Sequence, residues 1–405
     1  MNRMIGMLPF LAAVFIDLFS FGLMYPVIVI LFRDVAAHHT YAPATLNLLL
    51  SLTFSLFPLG MFFGASLLGD LSDGLGRRRT LLICMVGLTF AYALMFLGVE
   101  TGAIILLLAG RLISGLMAGA APIAQAAMMD HSTAQTRGRD MSRVVLVNCL
   151  ALASAPAAGG VLTDIWLPLP LLVTMGLCAA VFVLIYRAHF PESPRGKALT
   201  LSWRRPVLNF VHAAQHPRIR WLALAFFLFQ FGFAIYYVYV IVLMGNHYRL
   251  EPSWLGLFSG TLGVGFVAGS TLGYRILARL IPSEARICGL SLIVCGVFIL
   301  LSACAGETWQ WPIVFLAAVA NCAAYITLLS LISGAASADS QGWAMGIGSA
   351  AVALAFFLSG LIANGLAIIP LPAILALGGV IVVASALPLW FLRRPMPVAQ
   401  QHALS

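Results

Sequence analysis

Two ionisable residues stand where hydrocarbon should exclude them. Asp17 lies in the middle of the apolar run Met4–Phe32, and Arg111 lies within another. An ionised side chain at bilayer depth costs several kcal/mol by most estimates, so it faces a water-filled cavity or a partner. A carboxyl held there can take up a proton from one side of a membrane and release it to the other. Arg111 stays charged at any working pH, and only an acid or an anionic ligand could neutralise it. Asp17 is the one acid inside the apolar runs, so the two are expected to sense each other as a proton-coupling pair. The plainer readings are an Asp17 that serves as hydrogen-bonding glue and an Arg111 that snorkels to a nearby interface.

The elements that must position these groups are apolar helices. The chain is 62% hydrophobic and 9% charged, with a mean hydropathy of +1.02, whereas soluble domains carry about 25% charged residues. Twelve stretches long enough to span a bilayer fall near residues 5–32, 44–68, 80–98, 103–128, 144–163, 169–186, 221–244, 253–274, 287–305, 312–334, 343–366 and 372–392. The expected fold is an all-α membrane protein of twelve helices in two six-helix halves, 1–186 and 221–394. A basic, proline-bearing central loop, 187–220, separates them, and 395–405 forms a tail. Within the loop, Pro206–Gln215 reads either as a short amphipathic helix on the membrane surface or as a disordered linker. With both termini cytoplasmic, nineteen of the 22 basic residues fall on the inside, as the positive-inside rule requires. This accounts for the net charge of +9 without nucleic acid. No signal peptide is evident. The seven cysteines all fall within spans, which implies neither a disulfide framework nor a metal site.

Between the second and third spans the chain reads Gly69-Asp70-Leu71-Ser72-Asp73-Gly74-Leu75-Gly76-Arg77-Arg78-Arg79. Asp73 can bond free N–H groups at a helix start, Gly76 permits a tight turn, and the arginines can pair with acids. This run resembles the signature loop of the major facilitator superfamily, G-x-x-x-D-(R/K)-x-G-R-(R/K), with Gly74 where a basic residue is usual. The resemblance implies a conformational latch of Gly69, Asp73, Gly76, Arg77 and Arg78 against the start of the eleventh span, near Asp339–Trp343. Asp17 with Gly22, Leu23 and Pro26 resembles the first span of the twelve-span drug:proton antiporters of the tetracycline and multidrug efflux type. Arg111 with Gly115 resembles their R-x-x-x-G motif. Pro156, Gly159 and Gly160 match part of G-x-x-x-G-P-x-x-G-G, with Ala151 and Ala155 in place of two glycines. Pro26, Gly115, Gly119, Pro156, Gly159 and Gly160 are expected hinge or packing positions, since small residues let helices approach closely.

Polar and aromatic residues at bilayer depth are expected to line a central cavity: Gln125, Asn148, Phe226, Gln230, Phe233, Tyr237, Asn321, Tyr325 and Asn364. Such a wall suits an organic ligand bound mainly by contact area. The resemblance implies a proton-coupled secondary transporter, not an enzyme, that exports a small organic molecule by proton antiport from a multi-pass position in a bacterial inner membrane. It would need substrate, protons and bilayer, no cofactor and no metal, and would work as a monomer. Two other readings stay open: a proton symporter importing a nutrient or an organic iron chelate, and a non-transporting scaffold or sensor.

Overall fold

The computed structural model describes residues 3–38, 42–130, 132, 136–188, 202–217, 219–335, 341–362 and 369–391. Among them the elements are helical. The chain begins with α1 (Arg3–His38), α2 (Pro43–Leu75), α3 (Arg77–Thr101), α4 (Ile104–Leu116), α5 (Ala120–Asp130), α6 (Arg137–Ile165) and α7 (Leu169–Arg187). A short helix α8 (Arg205–Gln215) follows. The second series is α9 (Ile219–Val242), α10 (Pro252–Ala268), α11 (Tyr274–Leu280), α12 (Glu284–Cys304), α13 (Glu307–Ala335), α14 (Gln341–Leu361), α15 (Leu371–Ala384) and α16 (Leu387–Phe391). Among the described residues eleven helices, some of them joined end to end, are long and apolar enough to cross a membrane, and Gly346–Leu361 is a shorter apolar stretch.

The sequence explains where the helices turn. Pro43 opens α2 at its first position, where the missing N–H costs nothing. Gly76 alone separates α2 from α3, at φ +96°, a conformation strained for any residue with a Cβ. Two stretches depart from the α form: Leu243–His247 and Gly269–Gly273 are π-helical. The fourth apolar stretch is interrupted. Met117, Ala118 and Gly119 form tight turns onto Ile113, Gly115 and Met117, and α5 starts afresh at Ala120. Pro122 sits in its first turn, where proline breaks no helical bond.

Close backbone contacts hold the bundle together, and small residues make them. A methyl group at Gly115 would lie 2.0 Å from the Phe57 carbonyl oxygen, and one at Gly64 2.2 Å from that of Leu116, so α2 and α4 touch main chain to main chain. Gly159 and Gly160 are neighbours in sequence and face different helices. A methyl at Gly159 would meet the Leu23 carbonyl of α1 at 2.7 Å, and one at Gly160 would meet that of Pro252 at 2.1 Å. Gly256 and Gly263 return the contact from α10 onto Pro156 and Leu152. Two seams therefore join the helices before α8 to those after it: α6 against α10, and α2 against α14.

Candidate functional site

Asp17 projects from α1 toward the break in the fourth stretch. Its Oδ2 accepts a hydrogen bond from the main-chain N–H of Ala121, 3.0 Å away, in the first turn of α5. That turn carries the positive end of the helix dipole and N–H groups without intrahelical partners. The second oxygen, Oδ1, is buried and has no partner. A short relay ties the same turn of α1 to α3: the Ser20 hydroxyl donates to the Asp17 carbonyl at 2.9 Å, and the Tyr92 hydroxyl donates to the Ser20 carbonyl at 2.8 Å.

Arg111 is fully buried and does not pair with Asp17. Its Nε donates to the Thr53 carbonyl at 3.0 Å, and its guanidinium lies 4.9 Å from the centre of the Phe57 ring, one turn along α2. Nη2 has no partner, and no carboxylate reaches the group among the described residues. The anticipated pair is thus two separate sites, Asp17 on the start of α5 and Arg111 on α2, and Arg111 sits too deep to snorkel.

The loop around Gly76 is a junction of four segments. Arg77 donates to the Ser72 hydroxyl at 2.9 Å and to Asp73 at 3.1 Å, and approaches Asp130, at the end of α5, within 3.5 Å. Arg78 donates to the Ile185 and Tyr186 carbonyls, completing the last turn of α7 with a cation at its negative end. Asp70 is buried and accepts from Arg205 and from the Ser202 N–H. This contact docks α8, with Phe62 stacked on Phe210 at 6.3 Å and Phe63 near Trp203 at 6.2 Å. The Pro206–Gln215 segment is therefore an ordered helix. The expected contact near Asp339–Trp343 falls outside the described side chains. Sequence reasoning passed over Asp70 because its partner lies 135 residues away.

A cavity of about 530 Å³ opens at this basic end between α2, α5, α8 and α14, lined among others by Phe62, Ser66, Asp73, Pro122, Arg205 and Ser349. Of the residues anticipated for a central cavity, none belongs to that lining. Phe226 packs on Tyr325, ring centres 5.5 Å apart, and Phe233 packs on Phe266 at 5.9 Å. Gln230 Oε1, Asn321 Nδ2 and Asn148 Oδ1 are buried without partners. Gln125 is half-buried, and Asn364 lies outside the described residues. Tyr237 meets Tyr25 edge to face at 4.9 Å and Phe356 at 5.7 Å, so it belongs to an aromatic cluster between the two helix series.

The opposite end of the bundle is sealed. Arg33 of α1 donates to the Leu250 carbonyl at 3.1 Å and to that of Gly245 at 3.4 Å. Asp164 of α6 accepts from the Ser253 N–H at 2.9 Å, at the start of α10. A cation thus grips the end of one helix and an anion the beginning of the next, each matched to the local dipole. Ser51 adds a bond to the Leu361 carbonyl across the α2–α14 seam. Neither Arg33 nor Asp164 stands out in the sequence, because each meets a main-chain group of a distant helix end.

Ionisable groups inside an apolar helical bundle, with the two helix series bridged at one end and parted by a larger cavity at the other, fit a membrane transporter. The Major Facilitator Superfamily model matches residues 10–359, and the chain belongs to that superfamily. It is 27% identical over 317 residues to the class C tetracycline resistance protein of Escherichia coli, covering 76% of each chain. It is 24% identical over 339 residues to the class D protein of Salmonella ordonez, covering 82% of each. Among solved structures, the POT family transporter PepTSo superposes with a TM-score of 0.76 at 12% identity, over 99% of this chain and 98% of that one. The human organic anion transporter MFSD10 does so at 0.70 and 19% identity, over 96% of this chain and 100% of that one. At these identities the superpositions speak to the fold.

Proposed function

We propose that this protein is a proton-coupled secondary transporter that exports a small, drug-like organic molecule by proton antiport across a bacterial inner membrane. In this reading twelve spans form two six-helix halves with both termini in the cytoplasm, and the basic end faces inward. The structure then corresponds to an inward-open state, its outer end closed by Arg33 and Asp164. One observation carries the proposal: a single Asp17 carboxyl has one oxygen on the N-terminus of α5 and the other buried and unpartnered. In the charged form the Ala121 N–H stabilises Oδ2. A proton on the carboxyl weakens that bond and loosens α1 from α5, so occupancy of the site biases how the helices pack. The tetracycline resistance relatives support export of a drug-like substrate.

The test uses everted membrane vesicles with an imposed pH gradient. Asp17→Asn should abolish gradient-driven accumulation while leaving exchange down a substrate gradient intact. Undiminished accumulation by this variant would remove Asp17 from the mechanism. A second reading, proton symport into the cell, is favoured by Ala151 and Ala155, which replace glycines of the antiporter motif and are fully buried. The direction of proton movement on adding substrate separates the two.

A further inference from the structure

Arg111 is a permanent cation in the interior, and its obvious counter-charge lies elsewhere. The Nε–Thr53 bond and the Phe57 face satisfy only part of the guanidinium, and Nη2 has no partner. A buried charge in that condition is strongly unfavourable unless something of opposite sign joins it. The Tyr25 hydroxyl is a second orphan: it is buried with no partner, and its ring is joined through Phe21 to the Phe57 ring that faces the guanidinium. Two buried polar groups without a partner therefore border one short run of rings, Phe57, Phe21 and Tyr25.

Their surroundings are aromatic. Phe21 meets Tyr25 at 5.2 Å and Phe57 at 5.3 Å. From across the seam Tyr237 meets Tyr25 edge to face at 4.9 Å, and Phe356 meets Phe21 at 6.1 Å. These rings come from α1, α2, α9 and α14, so parting of the two helix series at the sealed end would open the box above Arg111. Ring faces and edges favour a flat π-system, and a guanidinium fork favours a planar anion.

We propose that Arg111 and Tyr25 form an anion-binding site, boxed by Phe21, Phe57, Tyr237 and Phe356, and that the transported molecule is an aromatic organic anion such as an aryl carboxylate or enolate. This deepens the transporter reading and rests on it.

The experiment is equilibrium titration of the purified protein in lipid nanodiscs, without any proton gradient, with 2-naphthoate, 2-naphthamide, cyclohexanecarboxylate and chloride. Naphthoate should bind, and naphthamide and cyclohexanecarboxylate should each bind at least about tenfold more weakly, the neutral amide forfeiting the charge-assisted bond and the smaller saturated ring the aromatic contacts and buried area. Arg111→Gln should weaken naphthoate by a similar factor. Tyr25→Phe, which removes one hydroxyl and keeps the ring, should weaken it about fivefold, and it serves as the deciding variant should Arg111→Gln not fold. Equal affinity for naphthamide, no binding of naphthoate, unchanged affinity in a folded Arg111→Gln or in Tyr25→Phe, or displacement by chloride at equal concentration would each overturn the proposal. Proton coupling is read by gradient-driven accumulation in vesicles and anion recognition by equilibrium binding without a gradient, so failure of one reading is distinguishable from failure of the other.

Discussion

The carboxyl of Asp17 divides its work between two oxygens, and that division sets what each substitution should do. Asparagine can still accept from the Ala121 N–H, so Asp17→Asn should keep its thermal midpoint within a degree or two while losing proton drive. Alanine leaves that N–H buried and unsatisfied, at a cost of about 1–3 kcal/mol. Asp17→Ala should therefore melt several degrees lower, as a thermal ramp of the detergent-solubilised protein would show. If both variants melt alike, the Ala121 contact is not one that matters to stability. Asp17 and Arg111 were legible in the sequence because charge inside an apolar run has few innocent explanations. Ala121 was not, since a main-chain donor leaves no trace in residue type. The nearest clue was Pro122, which marks a helix start inside what reads as one continuous span. Tyr25 looked like any other aromatic until its neighbours were in place.

Spans, by contrast, were written in hydropathy. The helices follow the apolar stretches, and the turn at Gly76 occupies the position its conformational freedom suggested. What composition could not convey was local backbone form, because the break at Met117–Gly119 and the two π-helical stretches depend on what packs beside them. Helix α8 shows the same limit. Its amphipathic pattern admitted a helix, yet its ordering comes from Asp70, a position the family pattern leaves open. Asp70 is buried while Arg205 is half exposed, so the pair is worth about 1 kcal/mol after solvent screening. Asp70→Asn should raise hydrogen exchange of the 205–215 amides severalfold and leave the spanning helices unchanged. Exchange that stays at the native rate would assign the docking of α8 to Phe210 and Ala213 alone.

At the scale of the whole molecule, the two ends differ in kind. One carries the cavity of about 530 Å³ and the other a clamp of Arg33 and Asp164 on consecutive helix termini beside a smaller cavity, and no sequence pattern says which end is bridged. Spin labels at positions 42 and 246, both exposed, should give a single short distance in the native protein. The double variant Arg33→Ala, Asp164→Ala should add a longer population by double electron–electron resonance, since each lost bond shifts the two-state balance by up to about tenfold. A distribution identical to the native one would move the seal to the aromatic cluster. The glycine pair in α6 carries a further consequence. Because Gly159 touches the backbone of α1 and Gly160 that of α10, α6 is a rail shared by the helix that holds the acidic group and the helix that borders the other lobe. At each joint the nearest atom is a main-chain carbonyl oxygen, so a displacement of a fraction of an ångström at one is handed to the other with little damping. Coupling over that distance needs no string of polar relays, only a stiff rod pinned on both sides.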